Sequence, residues 1–330
     1  MAVHVYESFE SLRGDLRHRL SLHGGASFFR SLEWFECLAN NGMENPALRI
    51  YVTSGTDLCA LFCHQRQTTL QGLSNFYTVD YGPCGNNNGL HEIFEFIAAE
   101  RPRWSVLDFR YLHDDDSAAL QTAARRSGYR VYPWPQYENW YLETGGEDFD
   151  SYYRQRSSQL RNTVERKARK TAREHDLRLE IYPRGGISIE QALAHFQAVY
   201  AASWKDAEPF EQFIPSLLRL CDAHEIGRIG MATVDRKPAA AQFWIKDGER
   251  SYIYKLAYDE QFGELSVGSI LSRAMFAHAL DSDNVTEIDY GVGDESYKRD
   301  WMSGSRKLGG LVACDTGTLR GLLRSLRERL

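Results

Sequence analysis
The amino-acid sequence predicts a mixed α/β (α+β) protein in two parts, and three observations predict it. Strand-length runs with two-residue alternation interleave with segments of helical spacing along the whole chain. The 330 residues are roughly twice a typical domain of about 150, enough for a core in each part. Composition shifts abruptly at Thr144-Gly-Gly-Glu-Asp148, where a glycine pair ends one segment and a strongly basic one begins. The division is therefore set at 1–146 and 147–330, with a basic helix over about 150–175 opening the second part.

In the first part, Ser31 is placed to cap a helix over Leu32–Ala39. Leu48–Thr53 and Leu58–His64 read as strands around a turn at Ser54-Gly-Thr-Asp57. Asn86-Asn-Asn-Gly89 is a loop, Leu90–Glu100 a helix and Ser105–Arg110 a strand. Ala118–Arg126 is a helix stopped by Gly128. Tyr129–Tyr132 and Asn139–Glu143 add strand material.

The second part opens with Arg154, Arg156, Arg161, Arg166, Lys167, Arg169, Lys170 and Arg173, opposed between Tyr153 and Glu174 only by Glu165 and Glu174. Leu177–Tyr182 alternates as a strand. Ser188 with Gln191 three residues later forms a capping-box signature for a helix reaching Trp204, and Phe210–Ala223 is a second helix. Arg228–Val234, Pro238–Ile245 and Arg250–Tyr258 are strands. After a turn at Asp259–Glu264, Leu265-Ser-Val-Gly-Ser269 opens a helix ending near Leu280. Val285–Tyr290 is a strand leading into Gly291-Val-Gly-Asp-Glu-Ser-Tyr-Lys298. Lys307–Cys314 is the last strand and Leu319–Leu330 a basic terminal helix.

Composition excludes several classes. Apolar content of 43% and charged content of 25% describe a globular chain. There is no run of about 18 apolar residues and no basic-then-apolar leader, so neither a membrane span nor a signal peptide is expected, and the cytoplasm is the default location. Six scattered cysteines do not suggest a disulfide framework; Cys59 and Cys63 with His64 read as a buried strand rather than a metal site. The ten histidines show no ligand spacing, and neither a His-Glu-x-x-His nor a Gly-x-Ser-x-Gly motif occurs, so no metal and no serine triad is indicated. A net charge of −6 argues against generic nucleic-acid binding, although the basic segment is a local exception.

The chemistry concentrates between Tyr254 and Lys298. A strand that feeds a small-residue turn at a helix start is a ready anion site, because free backbone N–H groups and the positive dipole end point outward there. Ser266, Val267, Gly268 and Ser269 form that turn. Lys255 is mid-strand, and simple alternation gives it Ile253 and Ala257 as apolar face neighbours, a costly place for an unpaired charge. Asp289 ends the next strand. The glycines of Gly291-Val-Gly293 then turn the chain toward Asp294, Glu295, Tyr297 and Lys298 at a short helix start.

This stretch resembles the GNAT acyltransferase superfamily. The motif residues are Tyr254-Lys-Leu-Ala-Tyr-Asp259, Leu265-Ser-Val-Gly268 and Asp289-Tyr-Gly-Val-Gly-Asp-Glu-Ser-Tyr-Lys298. They look most like the branch of exopolysaccharide- and cellulose-cluster acetyltransferases, which is related to the Fem peptidyltransferases with their two GNAT-like halves. The resemblance is strong over about 150–310 and mostly one of layout before that. It implies tandem GNAT-like halves, the first degenerate, and acetyl-CoA or a longer acyl-CoA as donor. Backbone at Leu256, Ala257 and 266–269 would hold the cofactor. Asp289, Glu295, Tyr297 and Lys298 are the implied catalytic group. Tyr297 is similar to the tyrosine that protonates a leaving thiolate, and Lys298 is read as contacting the acceptor or a phosphate. The layout would set Lys255 beside Asp289, either as a structural ion pair or on substrate. Lys255, Tyr254, Trp204, Tyr81 and Arg161 are the substrate-binding candidates; a cleft lined by Tyr77, Tyr81, Trp204 and the Tyr254 strand would take the acceptor, and Arg161 matches an arginine of the related branch.

The reading is an acyl-CoA-dependent N-acyltransferase acting on a small molecule or cell-envelope precursor. Two rivals stand beside it. An aminoacyl-tRNA-dependent Fem-type transferase is favoured by the basic helix and disfavoured by the net charge. A non-catalytic subunit in polysaccharide or lipid assembly is disfavoured by the intact motif.

Overall fold
A computed structural model describes residues 2–53, 55, 57–184 and 186–329, with backbone alone at 136. Ser54 and Thr56 of the expected turn and Leu330 of the expected terminal helix lie outside the described residues. The chain forms two compact units, 1–138 with 307–330, and 139–306. The dividing point therefore precedes the Thr144–Asp148 segment, and the last strand and helix, expected in the second part, return to the first. Long-range strand pairing decides this, and a local composition change cannot report it.

In the first unit, β1 (Val3–Tyr6), α1 (Gly14–Leu20) and α2 (Leu32–Asn41) precede β2 (Ala47–Thr53), β3 (Cys59–Arg66) and β4 (Thr69–Gly72). The Ser31 hydroxyl accepts from the Trp34 N–H and caps α2. Then come β5 (Cys84–Gly85), α3 (Leu90–Ala99), β6 (Val106–Leu112) and α4 (Asp114–Arg126). One strand, β7 (Arg130–Glu143), replaces the two expected there.

The second unit continues with α5 (Phe149–Gln155) and α6 (Ser158–Glu174). The expected single basic helix is thus broken, because Ser157 caps α6 by accepting from the Leu160 N–H. Next are β8 (Leu177–Tyr182), α7 (Ile189–Ala201), α8 (Phe213–Ala223), β9 (Gly227–Val234), β10 (Lys237–Asp247) and β11 (Arg250–Tyr258). The Ser188–Gln191 capping box forms as read, though α7 stops before Trp204. A 3-10 turn at Glu260–Leu265 leads to α9 (Val267–Asp281), β12 (Glu287–Val292) and α10 (Ser296–Trp301). Finally β13 (Gly304–Cys314) carries the chain back to the first unit, which ends in α11 (Leu319–Arg327).

Register shows the same sheet twice. In the first unit the order is β1-β2-β3-β4-β6-β13, antiparallel except for a three-residue parallel pairing of β4 with β6. In the second it is β8-β9-β10-β11-β12-β7, antiparallel except for a three-residue parallel pairing of β11 with β12. A helix makes each parallel crossover, α3 in one and α9 in the other, as a parallel connection requires. The core of the second unit lies between its sheet and α9, where Trp244, Ile253, Leu271, Met275 and Phe276 are buried.

Candidate functional site
β11 and β12 pair only at Arg250–Glu287, Ser251–Ile288 and Tyr252–Asp289. Beyond that β12 stays with β7 at Val292–Asn139, and the rest of β11 pairs with β10 alone among the described residues. The amide of Asp259 donates to the Ala239 carbonyl at 2.9 Å, and Ala257 faces Ala241. Alternation along an antiparallel ladder then aims the Ala257 N–H at β10 and the Leu256 N–H away from it. Of the two backbone donors expected, Leu256 is the one not turned toward β10.

The 3-10 turn Glu260–Leu265 leads from the end of β11 to the start of α9. Ser266 is left-handed (φ 57°) and its hydroxyl does not cap the helix. The first internal bond of α9 joins the Ile270 N–H to the Ser266 carbonyl, so the amides of Val267, Gly268 and Ser269 lie outside the ladder. A Cβ at Gly268 would lie 3.4 Å from the Tyr258 ring, so the first turn of α9 packs against that ring. Trp204, about half exposed, lies against the same Tyr258 ring at 4.6 Å between centroids.

Lys255 is not beside Asp289. The register slips between Phe243 and Trp244, so that Tyr254 is an extra residue in β11. This bulge reverses the side-chain alternation: Ile253, Leu256 and Tyr258 all pack on the same core cluster. Lys255 is thereby turned to the other face, where its Nζ donates to Glu208 at 2.6 Å. Glu208 also accepts from the Tyr200 hydroxyl at 2.6 Å. Lys205 stands in the same α7–α8 connection, its ammonium 5.8 Å from the rings of Tyr200 and Trp204. Burial, followed by the charge of Lys255, pulls the Lys205 pKa down to about 8, with Glu208, Glu295 and Lys298 the other charges acting on it.

Asp289 is almost wholly buried, and donors occupy both its oxygens: Asn139 at 2.7 Å and the Gly291 N–H at 2.7 Å on one, Arg306 at 2.5 Å on the other. The expected Lys255–Asp289 pair is therefore replaced by Arg306–Asp289, and a carboxylate so committed clamps β12. Lys298 is also buried. Its Nζ donates to the Val292 carbonyl at 2.8 Å and meets Glu295 at 3.0 Å, tying the β12–α10 turn together. That turn depends on Gly293, whose φ of 124° excludes a side chain and whose Cβ would strike the Glu295 carboxylate.

Glu295 and Tyr297 remain at the surface of this turn. Burial alone would raise the Glu295 pKa, but the Lys298 hydrogen bond and the Lys298 and Lys205 charges outweigh it and hold the carboxyl below its usual range. Tyr297 is 43% exposed, and burial of its hydroxyl together with the Glu295 charge pushes its pKa up to about 12. It is thus a phenol that keeps its proton.

Tyr81 and Tyr77 are not surface residues. Tyr81 is buried in the first unit, donates to the Phe62 carbonyl at 2.6 Å and lies over Gly72 at the end of β4. It also makes an isolated parallel bridge with Leu112. Tyr81 thus packs where β4 ends and bridges to the end of β6. Arg161 sits in the first turn of α6 and donates to the Arg156 carbonyl at 3.2 Å. Cys59 and Cys63 are buried in β3, and burial pushes both thiols up in pKa. Among the described residues there is no cluster of three or more His, Cys, Asp or Glu that could hold a metal, and no helix long and apolar enough to cross a membrane.

Residues 158–299 match the family model described as an acetyltransferase (GNAT) domain. Solved structures with a similar fold include FemX, at 9% identity and a TM-score of 0.60 over 90% of this chain and 94% of that one. Another is the C-terminal domain of a putative lysylphosphatidylglycerol synthetase from Agrobacterium fabrum, at 11% identity and 0.54 over 83% and 86%. A third is a tandem GNAT protein from the clavulanic acid biosynthesis pathway, at 11% and 0.51 over 96% and 99%. No curated protein matches the sequence. The repeated sheet order is in keeping with the tandem arrangement.

Proposed function
Residues 158–299 form a GNAT acetyltransferase domain, in a chain whose fold is similar to that of FemX; on that premise we propose that the protein is an acyltransferase that moves an acyl group from a coenzyme A thioester to an amine of a small molecule or cell-envelope precursor. One observation carries the reading. The Leu256 N–H of β11 points away from β10, and one 3-10 turn later α9 begins with the amides of Val267, Gly268 and Ser269 outside its ladder. The pyrophosphate would rest on those amides and the α9 dipole, and the thioester carbonyl would accept from Leu256 as charge develops on its oxygen.

The acceptor nitrogen attacks the carbonyl carbon; the C–N bond forms and the C–S bond breaks. Lys205, whose amine is largely freed of its proton above about pH 8, takes the proton from nitrogen. Tyr297, still protonated there, gives one to the departing thiolate. Lys255, braced by Glu208, and the exposed Trp204 face would orient the acceptor. The reading keeps the cytoplasmic location expected from the sequence.

Coenzyme A should raise the Tm by mass action. In Gly268→Val the branched side chain would lie where the phosphates approach, and the shift should disappear while the fold persists. An unchanged coenzyme A shift in folded Gly268→Val protein contradicts the assignment. A second reading, transfer from an aminoacyl-tRNA, is favoured by the exposed Arg166, Arg169, Lys170 and Arg173 of α6.

A further inference from the structure
We propose that α11 and the arginine-lined cavity at its foot dock the first unit onto the anionic face of a lipid bilayer. The helix is packed the opposite way from an ordinary surface helix. Its buried residues are Gly321 and Ser325. A side chain at Gly321 would run into the Asp315 and Ser105 carbonyls, and Ser325 shares a 2.7 Å hydrogen bond with the Tyr132 hydroxyl. Small residues thus seat the helix on the unit, while Leu319, Leu322, Leu323 and Leu326 are 75, 42, 59 and 49% exposed. At 3.6 residues per turn these four fall within an arc of about 100°, a continuous apolar ridge.

Charge names the occupant. Arg320 and Arg327 flank the ridge on one side, and both are exposed. Beside Leu323 opens a cavity of about 530 Å³ whose lining includes Arg66, Arg320, Arg324 and Arg327. Asp108, which also lines it, is bonded through both oxygens to Arg110. A convex leucine ridge beside a cationic hollow matches the acyl–headgroup boundary: the leucines enter the apolar layer and the arginines meet lipid phosphates. Pairing two copies of the helix would bring their arginines together, and a nucleic-acid backbone offers nothing to four leucines. The chain's net charge of −6 does not oppose docking, since screening limits each field to about 8 Å at physiological salt.

The test is flotation of the full chain with vesicles of phosphatidylcholine alone and of phosphatidylcholine with about 30% phosphatidylglycerol. Binding is expected only to the anionic vesicles, weakening with salt. Leu322→Ser with Leu326→Ser should reduce it by roughly a hundredfold or more without lowering the Tm, because both side chains are already exposed. Arg320→Gln with Arg327→Gln should reduce it by about thirtyfold. No flotation with anionic vesicles, equal binding to both vesicle types, or binding unaffected by the leucine changes would overturn the proposal. So would a concentration-dependent dimer that the leucine changes abolish while vesicle binding persists.

Discussion

Lys205 carries the most informative titration in the second unit. Below about pH 8 the folded chain holds an ammonium that burial and the neighbouring Lys255 disfavour, a cost absent from the unfolded chain. As pH rises through about 8 the folded protein releases that proton, while the unfolded lysine keeps its own up to the ordinary lysine range. The unfolded state then binds more protons, so stability increases with pH across this window. Lys205→Met removes the titration. The Tm difference between the original protein and Lys205→Met should move in favour of the original from about pH 7 to about pH 9.5. In the same variant kcat/KM should lose its rising limb near pH 8 and fall by about 10²–10⁴, the usual contribution of a positioned base. A pH-independent Tm difference would show that the lysine is solvated and ordinary, and an intact rising limb would remove it from the proton path.

At the scale of the element, β12 is held by Asp289. The carboxylate is buried against Arg306, Asn139 and the Gly291 N–H, so it fixes where β12 leaves β11 and where the Gly291–Gly293 turn begins. Arg306→Met leaves that charge without its cation and should cost about 3–5 kcal/mol in chemical denaturation. Asp289→Asn in the same background removes the uncompensated charge and should recover part of the loss. If Arg306→Met is within about 0.5 kcal/mol of the original, the clamp is not holding the strand. The strand itself was legible in the sequence: β11, the start of α9 and β12 lie within about two residues of where periodicity and the small-residue turn put them, the usual blur of an element's ends. The caps at Ser31 and Ser188 were legible for the same reason, each being a local contest between one side chain and one free amide. The partners of the charged residues were not. Lys255 is re-aimed by a bulge that exists only because β10 and β11 pair out of step, and its partner Glu208 lies in a connection without periodicity. Asp289 meets residues distant in sequence on both sides, Asn139 and Arg306, which no local pattern joins to it.

For the molecule as a whole, the two units repeat one strand order but differ at the point that matters for chemistry. Tyr81 bridges to Leu112 at the end of β6, whereas β11 beyond Tyr252 pairs with β10 alone among the described residues. On the proposed reading either donor would use the same β11–α9 segment, and the distribution of positive charge distinguishes them. Coenzyme A has few phosphates and would rest mainly on the uncharged amides at 267–269, so its affinity should vary mildly between about 50 and 200 mM salt. A tRNA would be met by several of Arg166, Arg169, Lys170 and Arg173, and each phosphate neutralised steepens the fall of log affinity with log salt by about 0.7–0.9. Contacts to four or more phosphates would give a slope near −3 and about a fiftyfold to hundredfold loss over that range. The mild dependence is the expected result. Arg166→Glu with Lys170→Glu should also leave coenzyme A binding within about twofold, since both side chains are exposed on α6 and the proposed grip is made by backbone of α9. Tight tRNA binding with the steep slope, lost in that double variant, would transfer the assignment to an aminoacyl-tRNA donor while leaving the acyl-transfer geometry of β11 and α9 unchanged.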